Sequence, residues 1–356
     1  MANYFFIRQN VTERKHILQF LKGIFLFLGI AIFVGFLQEI YIKTGCFAQP
    51  ASFIGKFLES HWSSPRFYEQ GSYVQTTNRI NGLSQEASVF ASQIGIIGFP
   101  VILTLFKNKF QLFSKLKNKN IIIYLGLFLL MTALCILIKS TSGLIMIVLA
   151  WGILFLIIFN SRNKKIQLAI FSGLMFLLAV LTFIYFVNSD IHNFLNEYLI
   201  QKMQSESGKN RTAITLGLFK IFLYHPLFGV GYSGPHLFAA TIGHVNDNPE
   251  MLSFFLTAPY LPQMSELGQY LANYGLITVS PVIYYFGKIK WNFLKLKRNS
   301  ATQDKLIPVL NDMMFYFLLF FIIGQISVIR TVNSCYLFLL FLFPAAYEIL
   351  RKKQQI

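Results

Sequence analysis

Apolar residues run along this chain in stretches of about 20, separated by short polar and basic segments, and not in the period-two alternation of half-buried strands. Crossing a bilayer as a helix takes about 20 mostly apolar residues, and eight runs approach that length: residues 17–42, 87–106, 121–138, 143–159, 167–187, 265–287, 308–329 and 335–350. The pattern predicts an all-α polytopic membrane protein of about eight transmembrane helices, forming a single integral membrane domain over residues 1–356. A removed signal peptide has an apolar core of only about 7–15 residues and a small-residue cleavage site. The first run fits neither, so it is expected to stay as an anchor.

Composition agrees with this. Hydrophobic residues make up 55% of the 356, with 39 Phe, 13% charged residues and a mean hydropathy of +0.55. That is far from an ordinary soluble domain. Charge then orients the spans. With the N-terminus in the cytoplasm, residues 1–16, 107–120, 160–166, 288–305 and 351–356 carry 20 of the 31 Lys and Arg, the opposite segments carry 10, and Lys22 lies within the first span. This bias predicts both termini in the cytoplasm. The net charge of +17 is thus an orientation signal. "KIKWNFLKLKR" (288–298) reads as a loop against anionic lipid, not as a nucleic-acid site.

Two long segments remain on the expected outer side, 43–86 and 188–264. Loops longer than about 12–15 residues are usually functional or disordered, and the second contains an apolar helical pattern near 211–224, too short to span. Both loops are expected to carry short helices, and any chemistry is expected at the outer face. They hold His61, His192, His225, His236 and His244, none in metal-ligand spacing, and Cys46, Cys135 and Cys335 form no Cys-x-x-Cys pair. "GVGYSG" (229–234) has the glycine spacing of a dinucleotide fingerprint but follows a helix and Pro226, where that fingerprint must follow a strand. These glycines are expected to form a turn after the helix.

Three segments carry a family resemblance. "RTAITLGLFKIFLYHPLFGVGY" (211–232) resembles the signature of the O-antigen ligase and polymerase-like family, in which an Arg opens a short outer helix that closes with His-Pro-Leu-x-Gly-x-Gly. "RINGLSQEASVFA" (79–91) is similar to the family's Arg-x-x-Gly-x-x-x-Glu-x-Ser start of a membrane helix, and "SELGQYLANYGLI" (265–277) resembles its helix after the large outer loop. The resemblance implies a metal-independent, inverting glycosyltransferase in the bacterial plasma membrane, with no cofactor. Its donor would be an undecaprenyl-diphosphate-linked oligosaccharide presented at the outer face; membrane lipid and a chain-length regulator are further expected partners.

A departing diphosphate needs its charge neutralised by a metal or by cations. The sequence has no Asp-x-Asp, and "NDNPE" (246–250) does not fit a metal loop. Arg suits the task through bidentate hydrogen bonds and a charge that persists near lipid. Of the four outer arginines, Arg66, Arg79, Arg211 and Arg330, Arg79 and Arg211 match family motifs and rank first as diphosphate clamps, with Arg330 third. Each has a plainer reading as a loop residue paired with lipid headgroups. Lys220 lies about half a helical turn around from Arg211 and reads as a snorkelling residue.

Orienting the attacking hydroxyl calls for a carboxylate or His. Glu86 and Glu266 are the candidates, although both also suit helix starts, with Ser84 or Ser265 as cap. His225 matches the motif and equally fits a helix-ending hydrogen bond. In ligases the helix after the outer loop is introduced by His, then Asn or Ser, then nine residues and Gly. Here Ser265 and Gly275 fit, but the His position is Met264 and a later Gly is Thr278. That departure favours a polymerase joining repeat units for capsule, O-antigen or exopolysaccharide. Ligase-type transfer to lipid A core or protein is the alternative, and a flippase of lipid-linked glycan is a third reading.

Overall fold

The computed structural model describes residues 2–60, 67–113, 119–160, 206–231, 265–299, 304–327 and 334–354. The predicted span 167–187 lies outside them, as do Arg330, His61, His192, His236 and His244. Among the described residues 82% are helical and none is in a strand, and the chain is an all-α polytopic membrane protein.

The helices are α1 (Ala2–Asn10), α2 (Arg14–Thr44), α3 (Ala48–Phe57), α4 (Tyr73–Thr77), α5 (Ala87–Gln93), α6 (Phe99–Lys107), α7 (Asn120–Leu137), α8 (Thr141–Phe159), α9 (Glu206–Tyr224), α10 (Glu266–Asn299), α11 (Leu306–Ser327) and α12 (Ser334–Gln354). Five helical stretches among the described residues are long and apolar enough to cross a membrane: α2, the continuous α5–α6 rod, α7, α8 and α11. They coincide with five of the predicted spans. α10 and α12 occupy the predicted sixth and eighth.

The α5–α6 rod is the centre of the bundle. It is buried almost all round, and a π-helical turn at Ile94–Gly98 joins its halves. Helices in lipid gain little from apolar burial and associate through close contact at small residues. Gly95 meets Met146 of α8, Gly98 meets Met131 of α7, and Gly324 of α11 meets Ile96, each so closely that an added Cβ would lie within 2.6 Å of a side-chain atom. Phe90, Phe99, Phe128, Phe317, Phe320 and Phe343 fill the space between. On the outside, Leu26, Phe33, Ile122, Val148 and Leu156 are over 60% exposed, as lipid-facing residues should be.

The starts of α2 and α11, the end of α6 and the later part of α10 gather at one end. There Arg14 makes a two-pronged pair with Asp304 (3.1 and 3.2 Å), Lys107 pairs with Asp312 at 2.9 Å, and Lys290 donates to Asn311 O and Oδ1 at 2.6 and 2.8 Å. The loop between α2 and α5, the α7–α8 turn and the start of α10 lie at the opposite end, where Arg79 reaches Lys139 and Ser265 reaches Gln325. As expected, the 43–86 segment carries short helices, α3 and α4. They dock through Gly55, whose Cβ would sit 2.1 Å from Ser72 Cβ.

Candidate active site

Arg79 is placed by a buried side chain that does the work of a strand. Gln38 of α2, 0% exposed, accepts from the amides of Asn81 and Gly82 (3.2 and 2.8 Å) and donates to Asn81 Oδ1 and Gly82 O (3.1 and 3.0 Å). Asn81 Nδ2 donates to Ser84 O at 2.6 Å. Gly82 has φ +60 and lies against the Phe90 ring, where a Cβ would clash at 2.4 Å. The glycine of the 79–91 motif is thus a backbone requirement. The loop so fixed directs Arg79 to donate through Nη2 to Lys139 O at 3.1 Å. A cation is favoured beside the carbonyl end of α7. The guanidinium is half-buried, and its other N–H groups make no hydrogen bond to described residues.

Glu86 follows on the same loop, at the N-cap position of α5, but its side chain does not cap the helix. It accepts instead from Ser88 Oγ. The expectation that Ser84 caps this helix is corrected. Its hydroxyl donates to Gln93 Oε1 at 2.6 Å, because the Gln38–Asn81 clasp turns the loop before the first helical residue. Ser265 does cap, accepting from the Gly268 amide at 3.1 Å while donating to Gln325 O at 3.4 Å. Glu266 beside it is 7% exposed, at the same end of the bundle as Arg79 and Glu86.

Another carboxylate at this end is unmarked by any motif. Glu59, just after α3, accepts from the Tyr73 amide at 3.1 Å through Oε1, while Oε2 is buried without a partner among the described residues. Burial pushes its acid up to about 7, against the opposing pull of the Tyr73 amide and the Asn81 side chain. Tyr73, in turn, feels the charges of both Arg79 and Glu86, and its hydroxyl is raised chiefly by burial.

The His-Pro-Leu-Phe-Gly-Val-Gly segment has a role that its glycine spacing alone does not suggest. α10 breaks at Gly275, whose φ of 63 and ψ of −170 interrupt the helix. The break frees two carbonyls and two amides, and the segment after α9 meets all four. Val230 and Gly231 donate to Ala272 O and Asn273 O at 2.9 Å each, and Leu276 and Ile277 donate to Pro226 O and Leu227 O at 2.8 and 3.1 Å. Gly229 and Gly231 do form a turn after the helix, with φ 66 and 87, and Gly234 lies outside the described residues. Irregular backbone is tolerated at membrane depth only when its polar groups are satisfied in this way.

α9 therefore runs alongside the first half of α10, and in the same direction: Leu218 packs on Gly268, and Leu227 on Gly275. α9 begins at Glu206, five residues before Arg211, so Arg211 falls within the helix instead of opening it. Its backbone lies seven residues, about 10 Å, back along α9 from Leu218, toward the Glu266 end. Its side chain lies outside the described residues. His225 sits 14 residues away from Arg211 at the other end of α9, exposed beside the break, where its carbonyl accepts from Gly229 N at 3.0 Å. Arg79, Glu86, Glu59 and Glu266 thus share one end, and His225 is carried about 13 Å away from Glu266 along α10. Among the described residues no three His, Cys, Asp or Glu side chains come together as a metal site.

Comparison with known proteins agrees with the motifs. Residues 126–280 match the family model described as O-Antigen ligase. No curated protein matches the chain. This match runs from within α7 through α8 and α9 to the broken start of α10, and it is consistent with an O-antigen ligase/polymerase-like family.

Proposed function

We propose that the protein is a polysaccharide polymerase that joins undecaprenyl-diphosphate-linked repeat units at the outer face of the bacterial plasma membrane, with both termini in the cytoplasm. The carrying observation is the gathering of Arg79, Glu86 and Glu266 at one end of a bundle whose opposite end holds Arg14, Lys107 and Lys290, together with the family match. An acceptor hydroxyl attacks the anomeric carbon of the donor, the bond from that carbon to the diphosphate oxygen breaks, and the electron pair leaves with the lipid diphosphate. Arg79 and Arg211, with Arg330 as a third, stabilise the charge that develops there. Glu266 or Glu86 takes the hydroxyl proton, and His225 is a further candidate for that role. A partner that sets chain length belongs to the same proposal.

The ligase reading is favoured by the matching family's own description, and the broken α10 is a feature shared with transporters. One assay separates the three. Purified protein is given lipid-linked oligosaccharide and no other acceptor. Lengthening of the lipid-linked product supports the polymerase, and transfer only after lipid A core is added points to the ligase. Movement across a liposome bilayer with no change in glycan size points to transport.

A further inference from the structure

The first half of α10 carries polar residues at a spacing that apolar spans do not need. Glu266, Gln269 and Asn273 fall at i, i+3 and i+7, one face of the helix, as a stripe about 10 Å long. Glu266 and Asn273 are 7% and 4% exposed. α11 packs beside it and presents Gln325, 6% exposed, whose carbonyl accepts from Ser265 at the head of the stripe. Asn273 Oδ1 and Gln325 Nε2 are both buried with no hydrogen-bond partner among the described residues. The helix break does not account for them, because the Ala272 and Asn273 carbonyls are already taken by Val230 and Gly231. Buried polar atoms without partners weaken a fold, and polar side chains inside spans mark the routes of substrates.

We propose that Gln269, Asn273 and Gln325, headed by Glu266, bind the sugar of the lipid-linked glycan. The unmet groups are one acceptor and one donor, and a sugar hydroxyl is both. A diphosphate, which offers only acceptors, would be repelled by Asn273 Oδ1. The stripe therefore recognises the glycan, while the arginines are left to the diphosphate. This inference rests on the glycosyl-transfer reading above.

The test uses the full chain in nanodiscs and two probes, undecaprenyl diphosphate alone and the lipid-linked oligosaccharide extracted from the producing strain. Melting shifts give the affinity for each. In Asn273→Leu and Gln325→Leu the affinity for the glycan-bearing lipid falls about tenfold, the scale of one lost hydrogen bond, and that for the bare carrier is unchanged. The melting temperature without lipid holds or rises, since an unmet polar group has gone; Asn273→Ala serves where Leu overfills the site. Variants that keep wild-type affinity for the glycan-bearing lipid overturn the proposal, as does a fall in the lipid-free melting temperature with both lipids affected equally. A wild type with no preference between the probes overturns it too. Wild-type protein that prefers the glycan-bearing lipid but never transfers its sugar defeats the glycosyl-transfer reading and leaves the stripe as a glycan site.

Discussion

Gly229 lies so close to Asn273 that a Cβ on the glycine would meet the asparagine carbonyl carbon at 2.4 Å, and Gly275 is held as tightly, 2.3 Å from Leu227 O. Both distances are those of an added Cβ, and both neighbours are backbone and cannot swing aside. Both glycines also have positive φ, which costs any other residue about 1–2 kcal/mol. Gly229→Ala and Gly275→Ala should therefore separate α9 from the broken helix and lower the melting temperature sharply. Gly231→Ala is the control: φ is 87 but nothing lies within 4 Å, so only the conformational cost applies. Heating followed by size-exclusion chromatography ranks the three, and Gly275→Ala melting with the wild type would refute the tight docking.

The spans were legible because a bilayer imposes a length and a polarity on each helix, and α2, α7, α8 and α11 answer to both. The break in α10 was less so. "LANYGLI" reads as continuous helix, and only the approach of residues 226–231 makes φ +63 at Gly275 favourable. Arg79 and Glu86 were found through their motif, but Gln38, which holds their loop, comes from another helix 43 residues away from Asn81 and has no local signal. Glu59 was missed for the same reason, since its environment is built by Tyr73 and Asn81 across the loop. Asn273 lies within the 265–277 motif itself. The signal that could have found it is polarity at i, i+3 and i+7 in an apolar span.

Glu59 should make stability depend on pH. Its acid is raised from 4.5 to about 7 in the folded protein, so the folded state holds the proton more tightly than the unfolded chain does. Stability is then greatest below pH 4.5 as far as this group is concerned, falls as pH rises toward 7 and is level above. The exposed part of the side chain keeps the loss to about 1 kcal/mol. Glu59→Gln retains an acceptor for the Tyr73 amide and carries no proton equilibrium. Its melting temperature should be flat across that window relative to the wild type and higher at pH 8. Parallel melting profiles for the two proteins would show that Glu59 is solvated in the folded state.

Arg211 and Arg79 should separate by what else each does. Arg79 donates to Lys139 O and helps tie the α2–α5 loop to the α7–α8 turn, so Arg79→Ala should lower both stability and activity. Arg211 lies on α9 about two turns before the contact of Leu218 with Gly268. Arg211→Ala should insert and melt like the wild type, yet transfer should fall by about 10²–10³, the scale of losing one preorganised group opposite a developing negative charge. In cells that loss would stop the glycan at a single repeat, visible as a collapsed ladder on a gel. Arg211→Lys, which keeps the charge but not the planar fork, should recover part of the length. A full ladder in the alanine variant would remove Arg211 from the diphosphate and leave its charge to be explained by lipid headgroups alone.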